Sequence, residues 1–123
     1  MAWLWIALGG ALGSLSRYGV VTAMQRSFPS AFPQGTLLVN VLGSLLIGVF
    51  MAWFLRQEAP REEWRWLAVV GFLGAFTTFS AFSWDTWRLL DEGRLVLAAG
   101  NVLGSVLLCL LATGVGVWLQ RQF

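Results

Sequence analysis

The 123-residue chain has no histidine, and its eight basic residues are all arginine, so lysine is absent too. Proton relays built on imidazole and Schiff-base chemistry are thereby excluded. The single cysteine, Cys109, lies in an apolar run and cannot form an intrachain disulfide. Charge is scarce: charged residues are 11% of the chain, whereas a soluble domain is about one-quarter charged. The arginines stand singly between apolar runs and make no basic patch, so a net charge of +2 does not point to nucleic acid. The first residues, Met1-Ala2-Trp3-Leu4-Trp5, lack the positive start of a secretory signal, and the first apolar stretch is read as a retained span.

What is abundant is apolar: 58% of residues are hydrophobic and the mean hydropathy is +0.72. A helical span takes about 20 residues, so four spans consume about 80 and leave only short loops. Six spans do not fit, nor does a large catalytic domain. The expectation is a single all-α integral membrane domain over residues 1–123, with spans at about 3–24, 36–55, 64–87 and 95–119. Pro29 and Pro33 forbid a continuous helix through the first connector. The second connector carries Arg56, Glu58, Pro60, Arg61, Glu62 and Glu63, and the third runs from Arg88 to Arg94. The eight tryptophans cluster at the expected span ends, as an interfacial aromatic belt requires.

Arginine counts carry no orientation signal. Arg56, Arg61, Arg65 and Arg121 face one side; Arg26, Arg88 and Arg94 face the other, joined by Arg17 if it snorkels that way. Either the topology is weakly encoded and set during insertion, or both orientations are inserted and two copies assemble antiparallel. A chain this small needs a partner to enclose an aqueous path.

Polar groups at membrane depth are expensive, so their positions are informative. Thr36, Asn40, Ser44 and Gly48 recur every four residues in the second span, as do Asn101, Ser105, Cys109 and Thr113 in the fourth. Small-residue pairs such as Gly9/Gly13 and Gly100/Gly104 suit helix packing, and packing accounts equally for single Ser or Gly positions. The two asparagines differ, because a carboxamide in hydrocarbon needs partners or water. In the third span, Phe76, Phe79 and Phe82 repeat at i+3 beside Thr77, Ser80 and Ser83. Ring edges with partial positive charge and hydroxyl donors together suit an anion that sheds water without meeting a full cation; core packing is the alternative. Gly74 and Thr77-Thr78 weaken a helix mid-span, leaving two readings: a continuous helix with Gly at a crossing, or a break whose freed carbonyls bind a cation. Arg17 snorkels, caps carbonyls or attracts anions at a vestibule. Asp85, at the end of the third span, is expected to pair with Arg88 or Arg17. No acid lies deep in the other spans, which argues for a passive path rather than a proton-coupled pump.

The segments Gly9-Gly10-Ala11-Leu12-Gly13-Ser14 with Arg17-Tyr18, Gly35-Thr36-Leu37-Leu38-Val39-Asn40, and Gly71 through Ser83 with its Thr77-Thr78-Phe79-Ser80 core resemble the Fluc/CrcB fluoride channels. The likeness runs in order over essentially the whole chain. It implies an antiparallel, dual-topology homodimer in the bacterial inner membrane, multi-pass, exporting fluoride passively through two pores rather than acting as an enzyme. Under it, Phe79 and Phe82 are the pore phenylalanines, and Asn40 orients the ion and its neighbours. Gly74 and Thr77 lend backbone carbonyls to a structural, untransported Na⁺ at the dimer centre. Ser80, Ser83, Asn101, Ser105 and Thr113 fall on or near the ion pathway, and Arg17 is structural or vestibular. The chain departs from the family pattern at Ala81, where threonine is common, and Cys109, where serine is common; both soften the polar track. A small multidrug-resistance-type transporter is the rival, disfavoured because the first span lacks its carboxylate. A non-transporting membrane subunit would explain the small-residue pairs but not the Phe and hydroxyl stripes.

Overall fold

A computed structural model describes all residues from Met1 to Phe123. It is all-helical, with four helical spans long and apolar enough to cross a membrane: Ala2–Ser27, Gln34–Phe54, Glu62–Asp91 and Leu95–Arg121. The first is α1 (Ala2–Ser27) and the second α2 (Gln34–Phe54). Pro33 stands at the N-cap of α2, where its missing N–H costs nothing. The observed helices outrun the expected spans by up to a few residues at most ends; α2 stops one residue earlier, at Phe54.

The third span is composite. It opens with α3 (Glu62–Trp64), widens into a π-helical stretch (Arg65–Leu73) and narrows to α4 (Gly74–Phe76). Thr77 and Thr78 then adopt extended backbone (φ −86°, ψ 157° and φ −153°, ψ 118°), and α5 (Phe79–Asp91) follows. Of the two readings of Gly74 to Thr78, the structure takes the break. A left-handed Gly93 (φ 73°) turns the chain into α6 (Leu95–Arg121).

Lipid tails are as apolar as leucine, so the spans gain little from burying Leu against one another and rely on close packing and hydrogen bonds. Only 16 residues are buried, and most Leu side chains of α1 and α6 face outward. Two glycine seams bring backbones together. A Cβ at Gly9 or Gly13 of α1 would collide with the carbonyl of Leu67 or Phe72, and one at Gly71 would lie 2.8 Å from the Ile6 carbonyl. Gly48 of α2 and Gly116 of α6 likewise admit the carbonyls of Thr113 and Leu45. Gly100 and Gly104 have open space around them, so within the chain this pair packs against nothing.

Candidate functional site

Thr78 is the hinge of the site. As N-cap of α5 its Oγ1 accepts from the Ala81 amide (3.1 Å), satisfying one orphan donor of the new helix. Its peptide groups are taken up by α2: the Thr78 N–H donates to Asn40 Oδ1 (2.8 Å), and Asn40 Nδ2 donates to the Thr78 carbonyl (3.0 Å). The carboxamide thus stands in for a neighbouring peptide and meets both halves of the demand that non-helical backbone makes at membrane depth. Gly43, one turn further along α2, makes room for the Thr77 methyl.

The diverted Thr78 amide would, in a continuous helix, have gone to the Gly74 carbonyl. The Leu73 carbonyl accepts from both the Thr77 amide (3.1 Å) and the Thr77 hydroxyl (2.9 Å). The Thr77 carbonyl accepts no hydrogen bond. The Thr78 and Ala81 amides go to Asn40 and to the Thr78 hydroxyl, so the Gly74 and Thr77 carbonyls are among those that lose their helical donors at the break. No group of three His, Cys, Asp or Glu could hold a metal anywhere in the chain, so any cation here would rest on neutral oxygens.

Beside the break lies an open groove of about 510 Å³. Of the site residues expected from sequence, Asn40, Gly74, Thr77, Phe79, Phe82 and Ser105 border it, as do Ser44, Thr78 and Cys109. Ser80, Ser83, Asn101 and Thr113 do not. The Ser80 hydroxyl sits 3.2 Å from that of Thr78, and Ser83 is exposed and makes no hydrogen bond. Thr113 Oγ1 donates to the Cys109 carbonyl (3.1 Å), along its own helix. Asn101 is 1% exposed, inside the chain. Arg17 is half-buried on α1 and makes neither an ion pair nor a hydrogen bond.

The break also divides the expected aromatic stripe. Phe76 is buried and stacks on Phe72, with ring centroids 5.6 Å apart. Phe79 is 79% exposed and leans on Phe82 at 5.3 Å and 49° between planes. The two rings beyond the break thus form a pair at the groove, while the third belongs to the core.

A second, more polar recess of about 110 Å³ lies where the first connector meets α5, bordered by Gln25, Ser30, Gln34, Thr36, Asp85 and Arg88. Asp85 pairs with neither Arg88 nor Arg17. Its carboxylate accepts from the Thr36 hydroxyl (3.1 Å), while Arg88 reaches Glu92 (3.4 Å) and the Ala31 carbonyl (3.3 Å). An i,i+4 neighbour on the same helix is nearer for Arg88 than Asp85 three residues back toward α2. Sequence reasoning marked Thr77-Thr78 as a weak point but gave Thr78 no role in the site, and it left out the Thr36–Asp85 contact. The signal for the first was present, a threonine directly before a new helical turn.

Comparison with known proteins adds to this geometry. Residues 4–117 match the family model for CrcB-like protein, Camphor Resistance (CrcB). A protein of Citrifermentans bemidjiense named fluoride-specific ion channel FluC is 45% identical, with 96% of this chain and 95% of that one covered. One of Geobacter metallireducens bearing the same name is 47% identical, with 95% and 94% covered. A third, from Solibacter usitatus and also so named, is 44% identical over 99% of this chain and the whole of its own.

Proposed function

Because the chain belongs to the CrcB family, we propose that it is a fluoride channel that lets the anion leave the cytoplasm down its electrochemical gradient. The family is one of ion channels, not enzymes, and the chain is a multi-pass membrane protein. The observation that carries the reading is the break at Thr77-Thr78, held by Asn40, with Phe79 and Phe82 at the edge of an open groove.

A neutral path suits a small, strongly hydrated anion. Hydroxyls and ring edges replace water without the deep well that an arginine would create. In the proposed path Phe79 and Phe82, paired at the groove, offer ring edges, and Asn40, fixed by two hydrogen bonds, holds the junction that precedes them. Ser105 stands on the facing wall with its hydroxyl hydrogen turned to Asn101, and Ser80 and Ser83 carry the polar track beyond the groove, with Thr113 two turns further along α6. Arg17, without a protein partner, sits in the vestibule. Fluoride enters cells as neutral HF and dissociates inside. An interior-negative potential then favours its expulsion by about 2.3 kcal/mol per 100 mV, so a selective hole suffices.

The groove is open along one side, and the arginines are balanced across the membrane. Both features support a second, antiparallel copy completing the pathway in a bacterial inner membrane. The Gly74 and Thr77 carbonyls fit an alkali cation, being unionised oxygens, one in the last helical turn before the break and one on the extended backbone that follows. Two copies would hold a structural Na⁺ between them, which when bound supplies positive potential near the anion path.

The decisive test is fluoride release from liposomes loaded with KF, started by valinomycin and followed with an electrode. Fast release of fluoride but not chloride is expected. Phe79→Ile and Phe82→Ile should each lower it sharply in an intact dimer. A silent wild-type protein, or proton-dependent uptake of a hydrophobic cation instead, would overturn the reading.

A further inference from the structure

Apolar contact anchors α5 poorly: Leu89 is its only buried residue. Polar groups hold it instead, from both sides and at consecutive positions. Toward α2, Asp85 accepts from Thr36. Toward α6, Thr86 Oγ1 accepts from Asn101 Nδ2 at 2.9 Å. Asn101 is 1% exposed, the most buried polar side chain in the molecule, and the groove does not reach it.

The bonds around Asn101 run in one direction. The Ser105 hydroxyl donates to Asn101 Oδ1 (3.5 Å), Asn101 Nδ2 donates to Thr86, and the Thr86 hydroxyl donates to the Phe82 carbonyl (2.8 Å). A hydroxyl has one hydrogen. With that hydrogen on Phe82, the Thr86 oxygen can only accept, and position 101 must present a donor. The chain of bonds starts at Ser105, on the α6 wall of the groove, and ends at Phe82, on the α5 wall.

We propose that Asn101 is a positioning residue for Phe82: acting through Thr86, it sets the separation of the two groove walls and the placement of the ring, without touching the ion. The proposal rests on the fluoride-channel reading for its transport readout only. Asn101 acts as a spacer whose length and polarity fix the width of the path, and so its discrimination between fluoride and a larger halide.

The test uses the full chain in liposomes with Asn101→Leu, Thr86→Val, Thr86→Ser and the Asn101→Leu/Thr86→Val double variant. Leu and Val keep the volume and remove the hydrogen bond, whereas Ser keeps the hydroxyl. Fluoride release should fall about tenfold in Asn101→Leu and Thr86→Val, the factor that accompanies one lost hydrogen bond. Thr86→Ser should release fluoride at the wild-type rate. The double variant should be no slower than the slower single one, because both break the same link. In parallel, 4-fluorophenylalanine placed at position 82 reports the ring by ¹⁹F NMR. Its resonance should shift in Asn101→Leu and Thr86→Val and stay put in Thr86→Ser. An unmoved resonance in both apolar variants, or additive losses in the double, overturns the proposal. If wild-type liposomes released no fluoride, the channel reading would fall while the ring resonance still judged the role of Asn101.

Discussion

Residues 65–76 and residues 79–91 belong to one span, yet the first stretch is seated on glycines and the second hangs from hydrogen bonds. The first presses its backbone against α1 at Gly9, Gly13 and Gly71 and buries Leu73 and Phe76. The second buries only Leu89 and is held through Thr78, Asp85 and Thr86 by Asn40, Thr36 and Asn101. In a solvent that offers no hydrophobic drive, these are the two ways to fix a helix. Close backbone approach tolerates no added atom, whereas directed bonds tolerate no lost donor. The stretch beyond the break uses the second way, which leaves Phe79 exposed.

That contrast can be broken by substitutions of opposite kind. Gly13→Val should have the largest effect: its side chain meets the Phe72 carbonyl, a backbone group that cannot swing aside. Overpacking costs about 1–3 kcal/mol or more, and loss of the monodisperse species on size exclusion is expected. Survival of Gly13→Val with a wild-type melting temperature would refute the glycine seam.

Next, Asn40→Leu strands the Thr78 N–H and C=O together. At about 1–3 kcal/mol for each buried group left unpaired, melting should fall by several degrees and fluoride release should collapse. Thr78→Val removes the cap on Ala81 and the contact with the exposed Ser80 hydroxyl, leaves both Asn40 bonds, and should cost about 1 kcal/mol, read as a smaller drop in melting temperature. Glu62→Gln, which breaks an exposed 3.8 Å pair with Arg65 at the start of the glycine-seated half, should change stability by under about 0.5 kcal/mol. If Glu62→Gln outweighed Thr78→Val, polar contacts would matter equally in both halves and the contrast would dissolve.

Much of the architecture was legible because it depends on local composition. Runs of apolar residues between Pro29, Pro60 and Gly93 delimit four spans, and Gly74 with Thr77-Thr78 marks a weak point in the third. What periodicity cannot tell is which neighbour a face meets. The row Thr36, Asn40, Ser44, Gly48 is visible as a face, yet nothing in it says that Thr36 and Asn40 grip α5 while Gly48 meets α6. The same limit applies to Gly100 and Gly104, whose spacing suits packing but which meet open space. Asp85 shows the limit for charge: sequence proximity favoured an arginine, whereas packing put a threonine of α2 within reach first. Phe76, Phe79 and Phe82 looked like one stripe because helical spacing was carried through two residues that are not helical.

The pair of hydrogen bonds between the Asn40 side chain and the Thr78 peptide also decides when the third span acquires its shape. Straightening Thr77-Thr78 into helix would require surrendering both bonds together, so the chain has no graded way to close the gap. The interruption is thus a property of the folded chain by itself, installed from within by α2. The Thr77 carbonyl is bared and the Phe79 ring turned out with no help from any neighbouring molecule.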